Sequence, residues 1–438
     1  MIKTEHGREI SGLELRHSII RRSAGVTAAY LAGHAFSYAL VFGANRILDS
    51  GGFGLFYASL LTITVLMSPM TALMFVLGRR IATENATGGQ AQAATIAWGL
   101  LNLCLKWGAP AAVLLGVILA LAGPRIGIEA WQILLLTPVT VLALVTAEFL
   151  RMSLQSMLLF KRASMLWIAS QITQVALSFL FLLLFQRVWT GILGVAIGAA
   201  SVSAVFAISF ACIARAASAP IPPLAIRKLV SDAPIIIAYS LFMLFSNIDI
   251  LIGYWLLARA ELDVYAASAL LPKAVVTATF AVAQVVLPVV VEQRIDGHSS
   301  RFSVVKAIIV VTGMSVAAAL VLWIAIPSLQ TTPFAIRGLD FSVMIVLATA
   351  SIGLSAMRIL VVVEGAMQRY AAGLAQSGAV VLFMVLSMNA EAQAHRVAEL
   401  YTIVVWGFLI MATAIFFPAR RVLVGLNPFA RGMRRTEQ

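Results

Sequence analysis

Read for hydropathy, the chain alternates long apolar runs with short polar connections, and the runs belong to one length class. A hydrocarbon core about 30 Å thick needs about 20 apolar residues per helix. Runs of that length fall at 23–45, 51–78, 100–123, 129–150, 163–185, 190–213, 233–258, 264–291, 303–327, 341–363, 370–389 and 397–417. The pattern predicts an all-α, polytopic membrane protein with about 12 transmembrane helices. The third run is the least regular, because 81–106 mixes polar and apolar residues, and its first part reads as a surface helix leading into the span.

The longest break lies at 214–232, where Pro220, Pro222 and Pro223 forbid a continuous helix. It divides the runs into an N-lobe, 23–213, and a C-lobe, 233–417, flanked by a polar segment 1–22 and a basic tail 418–438. A faint internal repeat supports the division. A shift of 209 residues lays Tyr30 on Tyr239, Phe36 and Ser37 on Phe245 and Ser246, and Ala58 and Ser59 on Ala267 and Ser268. An offset of six helices keeps both halves pointing the same way, a parallel repeat of the kind that supports rocking transport.

Composition agrees. Sixty-one per cent of the 438 residues are apolar and 11% charged, against about 25% charged in a soluble domain, so no stretch is left for a separate soluble unit. The net charge of +13 suggests nucleic acid until the basic residues are placed. With the N-terminus, alternate loops and the tail on the cytoplasmic side, 22 Lys and Arg lie inside, six outside, and three within spans. That asymmetry puts both termini in the cytoplasm and makes nucleic acid an unnecessary partner. No cleavable signal is expected, because the polar start leads into a run long enough to span. Cys104 and Cys212 both fall in or beside apolar runs and read as small hydrophobes, not a disulfide.

Enzyme signatures are missing. The chain has no phosphate-loop motif, no His-Glu-x-x-His and no Cys-x-x-Cys, and its five histidines lack metal-ligand spacing. No catalytic residue, metal or cofactor is therefore expected. Gly194 and Gly198 fit a small-xxx-small helix contact.

Charges at bilayer depth cost about 2.5–3.5 kcal/mol each on insertion scales, so each needs a reason. Asp249 and Lys273 lie on consecutive helices, each twelve residues from a turn near 261, and so reach the same depth. An ion pair is available there, either structural or opening on substrate or proton binding. Arg358 sits two thirds of the way along its helix, suited to a phosphate or carboxylate or to snorkelling. Lys106 reads as interfacial or cavity-lining, and Glu148 beside Arg151 as interfacial. His34, central in the first helix, is either a packing residue or a proton relay. Lys273, Arg358 and Lys106 are thus the candidate substrate-binding cations, with Asp249 and His34 as candidate coupling residues. Three interior cations against one central acid favour an anionic cargo.

Two segments carry a family resemblance. Arg46–Ser59 reads RILDSGGFGLFYAS, followed by Gly78–Ala82, GRRIA. Ser246–Ser268 reads SNIDILIGYWLLARAELDVYAAS. They resemble the polysaccharide-export, O-antigen-type flippases of the multidrug/oligosaccharidyl-lipid/polysaccharide (MOP) superfamily. That family has an Arg, a polar turn and Phe-Gly-Leu or Phe-Gly-Tyr after helix one. In helix seven it has Asp, a Gly-containing apolar run and Gly-x-Tyr-x-x-Ala, in which Asp263 here replaces the last Gly. The first turn also lacks the Pro many members carry. The resemblance implies translocation of a polyprenyl-diphosphate-linked oligosaccharide from the cytoplasmic to the periplasmic leaflet of a bacterial inner membrane. A polysaccharide polymerase or export machinery is then the expected partner, and there are no fixed catalytic residues to carry over.

Three alternatives stand beside it. A multidrug or metabolite antiporter of the same superfamily would bury acids in the first half, and helices one to three hold none centrally. A major-facilitator carrier would need Gly-x3-Asp-Arg-x-Gly-Arg-Arg after helix two, which Gly78–Glu84, GRRIATE, does not match. A passive scaffold leaves the embedded charges without a purpose.

Overall fold

The computed structural model describes residues 12–49, 51–122, 131–215, 233–295, 301–330, 336–366, 371–388 and 393–416. The proline-rich break over 216–232 and the basic tail from 417 onward lie outside the described residues, as does the N-terminal segment up to residue 11. Among the described residues all regular structure is helical: α1 (Gly12–Ile47), α2 (Gly52–Ala122), α3 (Trp131–Ser156), α4 (Phe160–Phe185), α5 (Val188–Arg215), α6 (Ala233–Phe245), α7 (Ile248–Leu256), α8 (Arg259–Ile295), α9 (Arg301–Gln330), α10 (Phe341–Ala366), α11 (Ala371–Met388) and α12 (Ala394–Phe416). Eight helices among the described residues are long and apolar enough to cross a membrane, or nine if the bent pair α6–α7 is one span.

Two sequence expectations change here. The second run does not end near residue 78. Helix continues through Arg79 and Arg80 to the glycines at 88 and 89, then resumes as an apolar stretch, Gly89–Leu121. The break falls at Gly89, φ 81°, ψ 173°, a conformation essentially confined to glycine. The first part of the mixed segment 81–106 is therefore the end of one helix, a break at Gly89 and the start of the next apolar stretch, and not a separate surface helix. The seventh run, expected unbroken over 233–258, is broken at Ser246–Asn247 by a 50° bend.

The packing follows from composition. Large apolar side chains such as Leu183, Leu184, Val205, Ile208 and Ile324 stand mostly exposed on helix exteriors. A soluble protein avoids so broad an apolar surface, whereas a bilayer requires it. Inside, two buried apolar clusters are built from residues 40–210 alone. A third is built from residues 242–412, with only Val41, Phe53, Tyr57 and Ala58 contributed by the first half. Helices α1 and α2 thus form the seam between the halves, packing on α6, α7 and α8.

A close approach between two neighbouring helices orients α4. A Cβ on Gly194 would lie 2.5 Å from the Ser178 Cα, and one on Gly198 2.6 Å from the Gln174 Cα. The small-xxx-small spacing read from sequence therefore seats α5 directly on the α4 backbone, which fixes the rotation of α4 about its own axis.

Candidate functional site

The halves enclose a cavity of about 360 Å³. Its second-half wall starts at the break between α6 and α7. A broken helix frees carbonyls that a membrane interior cannot leave unsatisfied. Here Tyr401 Oη donates to Phe245 O at 2.9 Å, and Lys273 Nζ donates to Ser246 O at 2.7 Å. The same ammonium pairs with Asp249 Oδ1 at 2.9 Å, and Tyr265 Oη donates to the other carboxylate oxygen at 3.0 Å. Asp249 is fully buried in the first turn of α7, where the helix dipole favours an anion. The Lys273 side chain keeps 12% of its surface and lines the cavity. Towards the other end of α10, Arg358 donates to Val276 O at 3.2 Å and to the Tyr239 hydroxyl, and it too lines the cavity.

The first-half wall carries an aromatic and amide face. Tyr30 stacks on Trp167 with centroids 5.0 Å apart, and His34 meets both edge-on. The Arg151 guanidinium lies 5.7 Å from the Tyr30 ring centroid and 5.5 Å from that of Trp167. Glu148 holds it with two hydrogen bonds, and Gln155 accepts a third. Along α4 the residues Trp167, Gln171, Gln174 and Ser178 follow helical spacing. The first three line the cavity, while Ser178 donates to Gly191 O at 2.9 Å.

Trp167 reaches α1 only because residue 33 is glycine, since a Cβ there would lie 2.1 Å from the indole nitrogen. Gly33→Ala should therefore cost about 1–3 kcal/mol by overpacking. A lowered melting temperature of the purified protein in detergent, with a changed tryptophan emission, would be the readout; an unchanged melt would mean that Trp167 moves aside freely.

At the end where α1 finishes and α2 starts, hydrogen bonds tie the halves together. The Asp263 carboxylate of α8 accepts from the backbone N–H of Gly51 and, at 2.6 Å, from that of Gly54. Asn45 bonds Arg337 reciprocally: its amide donates to Arg337 O at 3.1 Å, and its oxygen accepts from Arg337 N at 2.9 Å. Arg337 Nη1 also donates to Arg46 O at 3.1 Å. Tyr30 and His34 stand roughly 20–25 Å from this end of α1, at about 1.5 Å per residue.

The sequence-derived candidates divide. Lys273, Arg358 and His34 line one cavity, and Asp249 forms the ion pair that matched depth allows. Lys106 does not join them. It is exposed, 5.8 Å from the centroid of the Trp107 ring, because the helix it occupies starts at Gly89 and turns that position outward. Glu148, read from sequence as interfacial, forms part of the cavity wall. Among the described residues the interior therefore holds Arg151, Lys273 and Arg358 against Glu148 and Asp249, a smaller cationic excess than the sequence count suggests. The repeat positions Tyr30 and Tyr239, and likewise Ser37 and Ser246, all face this cavity. Gln171 and Gln174 escape the sequence reading, although two glutamines within the apolar run 163–185 are the available signal.

No family model matches the chain, and no curated protein matches it in sequence. Solved structures do. The Pyrococcus furiosus protein described in "Reverse polarity of binding pocket suggests different function of a MOP superfamily transporter" aligns with TM-score 0.65 at 13% identity, over 92% of this chain and 95% of that one. A MATE transporter in complex with MaL6 aligns with TM-score 0.63 at 13% identity, over 90% and 94%. A mutant of the Vibrio cholerae MATE transporter VcmN aligns with TM-score 0.58 at 16% identity, over 91% and 97%. With its apolar helices and this likeness over nine tenths of its length, the chain is a multi-pass membrane protein with the fold of the MATE transporters.

Proposed function

We propose that the chain is an alternating-access transporter of the MOP type, not an enzyme, whose cavity takes an amphipathic substrate with an acidic group. One observation carries the acidic preference. Among the described residues the embedded carboxylates Glu148 and Asp249 are held by internal cations, Glu148 by Arg151 and Asp249 by Lys273, while Lys273 and Arg358 present cationic groups to the cavity. A cation antiporter needs a carboxylate that can exchange its partner; an anion carrier needs the arrangement seen.

The residues 46–59 and 246–268 support a polyprenyl-diphosphate-linked oligosaccharide as the cargo, moved between leaflets of a bacterial inner membrane for surface polysaccharide assembly. In this reading twelve spans form two six-helix lobes with both termini cytoplasmic. The segregated apolar cores and the charge asymmetry of the loops support it. The bonds from Asn45, Gly51 and Gly54 would then close the periplasmic end, leaving the cavity to load from the cytoplasm. A second reading, efflux of a small organic molecule, has the support of the MATE neighbours and of a 360 Å³ cavity, at the lower end of drug-sized sites.

Deleting the gene distinguishes the two. The first reading expects lipid-linked oligosaccharide to accumulate severalfold with loss of surface polysaccharide, measured by mass spectrometry of extracted lipids. An unchanged pool with heightened sensitivity to small amphiphiles would overturn it in favour of efflux.

A further inference from the structure

Gln171 and Gln174 are more than nine-tenths buried, at 7% and 6% exposure, yet both line the cavity. A primary amide carries two donors and an acceptor with two lone pairs, and leaving them unmatched in a membrane interior is costly. Each amide uses one of those four positions on a described protein partner. Ser37 Oγ donates to Gln171 Oε1 at 2.6 Å, and Gln174 Nε2 donates to Ser170 Oγ at 2.7 Å. Among the described residues the Gln171 amide N–H groups and the Gln174 carbonyl oxygen have no protein partner. One helical turn thus offers a donor and an acceptor side by side, next to Trp167. Lys273 and Arg358, the cations of the cavity, stand on the other half of the molecule.

We propose that Gln171 and Gln174 form a second recognition subsite, specific for a ring bearing hydroxyl or acetamido groups. The acidic group of the same molecule is held by Lys273 and Arg358. A vicinal diol, or an acetamido group beside a hydroxyl, supplies the acceptor and donor that this amide pair lacks. An alkyl or simple aromatic amphiphile supplies neither. The inference rests on the acidic-cargo reading and sharpens it to a hydroxylated ring linked to phosphate or carboxylate.

The test uses the purified full chain in detergent and titration calorimetry with three soluble probes: inorganic phosphate, glucose 1-phosphate and N-acetylglucosamine 1-phosphate. The wild type should bind the sugar phosphates roughly ten-fold more tightly than phosphate, about the value of one well-made hydrogen bond. Gln171→Leu and Gln174→Leu should each erase that advantage and leave phosphate affinity within about two-fold, whereas Asp249→Leu combined with Lys273→Met, which removes the cation without stranding its partner, should weaken all three probes. Gln171→Met, nearer the glutamine in shape, serves if the leucine variant is not recovered folded. Variants that keep the sugar advantage would overturn the subsite while leaving the acidic-cargo reading intact. An equal loss for phosphate and sugar phosphates would also overturn it, as a general distortion of the wall. A wild type that binds none of the three would overturn the acidic-cargo reading and this inference together.

Discussion

Asp249→Leu should deplete the folded protein, and Asp249→Leu combined with Lys273→Met should restore abundance but not transport. Asp249 is fully buried, bonded at once to Lys273 and Tyr265. Removing one member of such a pair strands the other charge, at a typical cost of about 3–5 kcal/mol, while replacing both by apolar groups of similar size is often neutral. Only one of the two partners, Lys273, lines the cavity. Stability therefore depends on the pair and transport on the ammonium. Abundance by immunoblot and transport in the deletion strain measure the two separately. A double variant that transports normally would make Lys273 purely structural. A double variant as depleted as the single one would show that Tyr265 and Ser246 need the charges themselves.

The second large effect is conformational. Asp263→Asn should open the end of the molecule at which α2 starts. The carboxylate accepts two backbone N–H groups from the opposite half, and charge-assisted bonds of that kind contribute about 1.5–3 kcal/mol each. An asparagine directs an amide donor at one of them. Losing even one bond should shift a closed-to-open equilibrium by roughly ten-fold. A Thr64→Cys reporter measures this, since Thr64 lines the cavity, with Cys104 and Cys212 replaced by serine because both are exposed. Labelling by an impermeant maleimide added at that face should accelerate by about the same factor. An unchanged rate would mean that Asn45 and Arg337 hold the closure alone.

Much of the architecture is legible in the sequence because membrane burial is a strong, one-dimensional signal. Each expected apolar run coincides with helix in the described residues, and the depth argument for Asp249 and Lys273 needs only a turn and a rise per residue. What is not legible depends on local backbone geometry. Hydropathy reports whether a residue suits the bilayer, not whether a glycine at 89 turns the chain or whether a helix bends at Asn247. The first of these decides between the two readings of Lys106, since its direction depends on where its helix starts. Glu148 reads as interfacial because it sits three residues from Arg151 near a helix end. Only the fold shows Tyr30 and Trp167 closing over that pair. Asp263 stands out in sequence as a departure from the family pattern, but its role lies 209 residues away, at Gly54.

The seating of α5 on α4 has a consequence for how this protein can evolve. Gly194 and Gly198 are not part of the cavity wall, yet one added methyl at either would push against the backbone of Ser178 or Gln174. The compensating move open to α4 is to roll or lift, and that swings the glutamine side chains off their aim. Selectivity is thereby inherited from two residues that never meet the cargo. A selection for altered substrate range should recover replacements at these glycines alongside changes in the wall itself.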